Sequence, residues 1–325
     1  MATPTLPYMS NIGAVGIRLE TTAGVEAAPS FPADFVLAQN VQYAPQGETV
    51  ERNFLRPSFS RPLQRTARRS ATVSFDVELM GTGVAASAGT PAAATPKWAD
   101  LLEACAMSAT NVASGDIGRV YTPTTNNQKT ATIFLHLNGQ LHKLTGAVGT
   151  FTINLPASGI GTISFTFTGT FIVPTAVADP AIPTQTVVPP VLENTGFVYN
   201  SVADLMVDSV SFDMGNAVVQ RTSMTVPNGI HSFIITSRQP TFSMTTERVL
   251  ENQVPFFGDF RDSTTRSCEF RVGSVNGNSI EFNLPTLQIQ VPELGERDGI
   301  MTLTLPHNVS SASTNGNDEI SIRFF

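Results

Sequence analysis

Lysine is nearly missing from this chain. Of 325 residues only Lys97, Lys129 and Lys143 are lysine, against sixteen arginines. Charged residues together make up 14%, well below the ~25% of an average soluble protein. That excludes a solvated charged polymer and a long coiled coil. There are two cysteines, Cys105 and Cys268, far apart in sequence, so neither a disulfide framework nor a metal-ligand spacing exists. No CxxC, HExxH, GxSxG or GxxxxGK[ST] pattern occurs. One Trp and four Tyr are too few for the exposed aromatic platform of a sugar-binding module or a single-strand nucleic-acid binder. No run of about 18 apolar residues is present, and MATPTLPYMSNIGAVG has neither the basic nor the apolar stretch of a secretory signal. The expectation is synthesis in a cytoplasm without membrane insertion.

What is present points to a packed, turn-rich protein. Hydrophobic residues reach 41%, with 21 Phe, 24 Gly and 22 Pro, and mean hydropathy is +0.06. At roughly 100–200 residues per domain the length predicts two domains. The net charge of −7 does not suit electrostatic grip on nucleic acid. Arginine favours planar, partly buried pairing where lysine favours plain solubility, so the bias hints at surface covered by partners. Arg-rich codon usage explains it equally well.

The clearest boundary is PTAVADPAIPTQTVVPPVLE, 174–193, which holds Pro174, Pro180, Pro183, Pro189 and Pro190 and only two charges. Proline at this density predicts an extended, semi-rigid linker. It divides a first domain, 1–173, from a second, 194–325. Residues 1–173 are net +1 and residues 174–325 net −8. Sliding the chain by 169 residues places Val41 on Val210, Val50 on Val219, Arg52 on Arg221, Arg69 on Arg238, Thr72 on Thr241, Ser74 on Ser243 and Glu78 on Glu247. At an offset of 136, Phe151–Pro156 meets Leu287–Pro292. At 138, Ser164–Phe167 meets Thr302–Leu305. The same order in both halves predicts an ancient duplication.

Secondary structure reads as mostly strand. Val73, Phe75, Val77 and Leu79 alternate with Thr72, Ser74, Asp76 and Glu78, the pattern of a half-buried strand over Ala71–Leu79. Thr130–Leu137, Thr150–Leu155, Thr162–Val173, Ser209–Phe212, Ser232–Thr236, Ile280–Leu284, Leu287–Val291 and Ile300–Leu305 alternate likewise. One helix is predicted over Pro96–Met107, with Trp98, Leu101, Leu102 and Cys105 on one stripe. A shorter counterpart is expected at Val254–Phe260. Ala44–Ser70 does not read as strand. It carries Arg52, Arg56, Arg61, Arg65, Arg68 and Arg69 among Phe54, Leu55, Phe59 and Leu63. Ordered connections of that length are uncommon unless functional, and exposed apolar residues make sense if a neighbour covers them. These ten residues are the candidate site: an interaction arm, 44–70.

Chemistry is otherwise sparse. Gly81-Thr82-Gly83-Val84-Ala85-Ala86 matches G-x-G-x-x-A, but Ser87–Pro91 interrupts the helix that a dinucleotide site needs. It reads as an Ala/Gly-rich loop. His136 and His142 read as structural, and Glu293, Glu296 and Asp298 as a solvated turn; nothing supports a glycosidase pair. The sequence calls for no catalytic residue, metal or cofactor.

With these features the chain resembles the tail tube (major tail) proteins of long-tailed bacteriophages. The likeness rests on Ile17–Pro29, on Gly47–Asn53 before the long loop, on Val73–Leu79 followed by Gly81-Thr82-Gly83, and on Pro96–Leu102. It covers mainly 12–173. The resemblance implies a mainly β fold, here two tandem tail-tube-like β-sandwich or barrel domains, each with a short flanking helix, joined by the Pro-rich linker. It implies a structural, non-enzymatic virion protein, assembled in the host cytoplasm. Rings stack into a tube that carries the genome during ejection, and inner strands of neighbouring subunits join into a barrel around a lumen. Family members mostly have one tube domain and form hexamers. Two domains per chain lead to the expectation of a homotrimer with pseudo-six-fold symmetry. Expected partners are further copies of the chain, tail proteins such as the tape measure and terminator, and double-stranded DNA passing without sticking. A lumen lined with negative charge would repel phosphate. The alternatives are a hexameric tube protein with a decorative C-terminal domain and a carbohydrate-binding or adhesive β-sandwich module.

Overall fold

Alternation of apolar and hydroxyl side chains dictates the architecture, because β-branched and aromatic residues at every second position suit a pleated, half-buried surface. The computed structural model describes residues 13–182, 185–193 and 195–325. The fold is mainly β. The strands are β1 (Gly13–Leu19), β2 (Phe35–Val36), β3 (Gln39–Val50) and β4 (Arg65–Glu78). A 3-10 turn at Lys97–Ala99 leads into helix α1 (Asp100–Ala104). Then come β5 (Met107–Val112), β6 (Gly118–Pro123), β7 (Ala131–Leu137), β8 (Gln140–Pro156) and β9 (Thr162–Ala176). Beyond 176 lie β10 (Val198–Tyr199), β11 (Val207–Asp213), β12 (Asn216–Thr222), β13 (Ile230–Arg238) and β14 (Thr241–Glu247). They are followed by helix α2 (Phe256–Asp262), β15 (Thr265–Val275), β16 (Asn278–Ile289), β17 (Glu293–Arg297), β18 (Ile300–Val309) and β19 (Ser321–Phe324).

The same succession of antiparallel pairings occurs twice. In the first half β1 pairs with β7, β7 with β8, β8 with β9, β9 with β4 and β4 with β3. In the second, β10 pairs with β15, β15 with β16, β16 and β17 with β18, β18 with β14 and β14 with β11. The registers also coincide. Tyr43↔Val73, moved 169 residues along, is Phe212↔Phe242; Val50↔Arg65 becomes Val219↔Ile234. Bulges fall at neighbouring places: Gln39/Gln42 and Gln46/Glu48 in one half, Val207/Ser209 and Ala217/Val218 in the other. The later strands differ from the sequence expectation. Phe75↔Phe165 corresponds to Met244↔Leu305, and Ile153↔Ile163 to Leu294↔Leu303. Ile153 therefore has Leu294 as its counterpart, not Ile289.

One apolar core runs through both halves. Phe151 on β8 lies 6.0 Å from Phe212 on β11, and Trp98 lies 5.5 Å from Phe324 on β19. Each such ring contributes about 1.5–3 kcal/mol through burial. Two seams connect the halves: β8 with β11, and β6 with β19. A third contact explains the glycine loop. A Cβ on Gly81 would stand 2.1 Å from the carbonyl oxygen of Gly277, so only glycine fits. The Gly83 N–H donates to that same carbonyl at 2.9 Å.

Several sequence expectations need correction. The helix begins as a 3-10 turn and ends at Ala104, short of Met107. Its second counterpart is shifted to Phe256–Asp262. Ile280–Leu284 and Leu287–Val291 are not two strands: β16 runs unbroken from Asn278 to Ile289. Ala44–Ser70 is no irregular loop; β3 reaches Val50 and β4 starts at Arg65, leaving 51–64 as the tip of a long hairpin. In 174–193, β9 continues to Ala176 and the far end is fastened down. Leu192 is buried and exchanges backbone hydrogen bonds with Gly159 and Ser158, and Asn278 Nδ2 donates to the Val188 carbonyl at 2.9 Å. Pro183, Thr184 and Asn194 lie outside the described residues.

A buried histidine gives one measurable consequence. His307 on β18 stands where the first half has Phe167: Phe242↔His307 repeats Val73↔Phe167. Its Nε2 is 3.2 Å from the Tyr199 hydroxyl. Burial pushes its pKa down to about 4 from 6.5. The unfolded chain takes up that proton first as pH falls, so stability is full above about pH 6.5 and is lost towards pH 4, by about 3 kcal/mol. Thermal melts between pH 7 and pH 4.5 should show this slope, and His307→Phe should flatten it; an unchanged slope in the variant would assign the titration elsewhere.

Candidate functional site

Eight strands stand side by side in one antiparallel row: β3, β4, β9, β8, β11, β14, β18, β17. The two halves give four strands each, joined at β8·β11. One face of the row is the core. The other is polar along its whole width. It shows Asn40 and Gln42 on β3, Thr72 and Ser74 on β4, and Ser164, Thr166 and Thr168 on β9. Thr152 and Asn154 follow on β8, then Ser209 and Ser211 on β11, Thr241, Ser243 and Thr245 on β14, and Thr304 and Asn308 on β18. The registers bring these residues onto one face.

The charges on that face are mostly acidic. Asp76, Glu78, Asp213, Glu247 and Glu293 share it with one basic side chain, Arg297. Gln39 Nε2 donates to Glu78 at 2.8 Å and Asn40 Nδ2 to Asp76 at 2.7 Å. Arg297 pairs with Asp208 and reaches Glu247 at 3.8 Å. Glu293 and Glu296, read as part of a solvated turn, belong to edge strand β17, and only Asp298-Gly299 forms the turn.

The row ends on two edges without a described partner strand, β3 and β17. From each half a hairpin arm also projects. The first, β3–β4, ends in Leu55 and Phe59 at 104% and 112% relative exposure, with Phe54 and Leu63 also exposed. The guanidinium of Arg56 lies 4.5 Å from the Phe54 ring centre and that of Arg52 5.5 Å. Arg61 pairs with Glu51 at 2.8 Å and Arg68 with Glu48 at 2.9 Å. Arg65 sits at the head of β4. Arg69 is clipped to the second arm: Asn228 Oδ1 accepts from its backbone N–H at 2.9 Å, and Asn228 Nδ2 donates to its carbonyl at 2.6 Å.

The second arm, β12–β13, lies across the first half. Ile230, Phe233 and Ile235 are buried with Ala106 and Val148. Gln128 and Ile235 exchange a pair of hydrogen bonds at 2.8 and 3.0 Å, and Asn216 Nδ2 donates to the carbonyls of Cys105 and Gly149. Sequence reasoning missed this arm, although the match of Arg52 to Arg221 and Arg69 to Arg238 marks its stems. Among the described residues no group of three or more His, Cys, Asp or Glu could hold a metal ion. His136 packs edge-on against Phe31 at 5.3 Å and His142 against Tyr43 at 4.6 Å.

A wide polar sheet face with open edges and reaching arms suits assembly. A family model described as phage tail tube protein matches residues 10–317. The chain belongs to the phage tail tube protein family. No curated protein matches it. As a tail tube protein it is a structural component of the phage tail. The match takes in both halves of the tail tube chain and both arms, including all ten arm residues named from sequence, from Arg52 to Arg69.

Proposed function

We propose that the chain is a fused pair of tube units, 1–173 and 194–325, and that three chains close into a ring of six units. The rings stack into the conduit for genome ejection, assembled in the host cytoplasm with other tail proteins. The observation that carries this reading is the row of eight strands, in which two four-strand units meet edge to edge with matching registers. Its polar face lines the bore. Hydroxyl and amide groups there offer no fixed cations to phosphate, and the acids repel it, so DNA slides. Three such rows give twenty-four strands. At ~4.8 Å between strands the facing backbones stand roughly 37 Å apart, and more where strands tilt.

The arm 44–70 makes contacts between subunits, as the second arm does within the chain. Its arginines suit the net-negative second half, and its Phe and Leu side chains fill a neighbour's surface. Electron microscopy of the purified protein tests the assembly. Stacked rings with three-fold symmetry and a pseudo-six-fold bore are expected. Six-fold rings lined by the first unit alone would overturn the fused-pair reading, and an isolated monomer would overturn the tube.

A further inference from the structure

The seam inside the chain specifies the seam between chains. In the β8·β11 seam the pairs are Asp213↔Thr152, Phe212↔Ile153, Ser211↔Asn154, Val210↔Leu155 and Ser209↔Pro156. The registers already described carry β11 onto β3 and β8 onto β17. Both strands so reached are edges of the row with no further partner strand among the described residues. Five of five β17 residues are exposed, as is most of β3. Long open edges are a liability that folded proteins cover. The apolar pair at the inner seam is sealed, with Ile153 and Phe212 both buried. Its counterpart on β17, Leu294, is 59% exposed.

We propose that β17 of one copy pairs antiparallel with β3 of a second copy, in the register Glu293↔Ala44, Leu294↔Tyr43, Gly295↔Gln42, Glu296↔Val41 and Arg297↔Asn40. The proposal rests on the tube reading and adds the strands and the register. Pairing buries Leu294 against Tyr43 on the core side. On the polar side it sets Arg297 opposite Asn40, beside Asp76. The seam reproduces the inner one, so the row continues from chain to chain without a break.

Paired cysteines test the register. Asp213↔Thr152 is a non-hydrogen-bonded pair, because Met214 donates to Phe151 and Ala157 to Asp208 on either side. Its counterpart, Ala44↔Glu293, therefore brings Cα atoms to about 4.5 Å, within disulfide range. Positions 44 and 293 lie at opposite ends of the row in one chain, so any bond between them is intermolecular. Cys105 and Cys268 are buried and do not compete. Mild oxidation of the assembled Ala44→Cys/Glu293→Cys protein should convert most of it to covalent dimers and closed rings on denaturing gels. Gln42→Cys/Glu293→Cys, two residues out of register, should crosslink at least tenfold less. Equal or preferred crosslinking of the shifted pair overturns the register. Rings or tubes in the microscope without the in-register bond overturn the seam while leaving the tube. Neither rings nor bond overturns both.

Discussion

Deleting residues 54–66 is expected to leave a folded, soluble chain that no longer polymerises at wild-type concentrations. The tip adds nothing to the core: Leu55, Phe59 and Leu63 are almost wholly exposed, and the Arg61–Glu51 pair is local. Exposed ion pairs of this kind are worth little to stability. The melting temperature should therefore shift by only a few degrees. Assembly is different. Burying three large apolar side chains on a neighbour contributes about 1.5–3 kcal/mol each. Even half of that, lost at every contact, raises the concentration needed for polymerisation by at least about 40-fold. Sedimentation of polymer across a concentration series reads this directly, and normal tubes from the deletion would remove the arm from assembly.

The second large effect concerns the bore. Asn154, Thr166 and Thr241 are exposed on the polar face and engage no described side-chain hydrogen bond. The triple variant Asn154→Lys, Thr166→Lys, Thr241→Lys should assemble into tubes of unchanged width. With three chains per ring it places nine cations around each cross-section. Six to ten phosphate contacts make binding fall by about 10³–10⁵ between 50 and 200 mM salt. Variant tubes should therefore retain duplex DNA at low salt and release it at high salt, and phage carrying them should lose most of their infectivity. Wild-type tubes should retain none at either salt. Retention by wild-type tubes, or none by the variant, would show that the polar face does not line the passage.

Much of the fold was legible because one face of each inner strand is wet and the other dry. Ala71–Leu79 alternates without fault for that reason, and the prediction there lies on β4 except for Leu79, one residue past its end. The arm stems were illegible for the opposite reason. From Ala44 to Val50 both faces of β3 are exposed, so no apolar period marks the strand, and Pro45 and Gly47 add turn signals. β19 is four residues long and is ordered by β6 and β16, which no local pattern reveals. Leu287–Val291 looked like the counterpart of Phe151–Leu155 because both alternate. In the fold Leu287 and Ile289 are held by β18, and the role at the edge passes to β17. The acidic polar face and the edges without a described partner depend on strand order, a long-range property that composition and periodicity do not carry. The tip residues Phe54, Leu55, Phe59 and Leu63 stood out in the sequence because apolar side chains in an arginine-rich stretch have no local use.

The β8·β11 seam has a thermodynamic consequence. Bringing two separate molecules together costs an estimated 4–15 kcal/mol in lost translation and rotation. A covalent tether replaces that encounter by an effective concentration in the millimolar range. In a ring built from such chains, every second joint forms as the polypeptide folds, at any dilution. Only the alternate joints depend on how many copies the cell has made. Closure then needs half the collisions, and partly built arcs with an odd number of units do not arise.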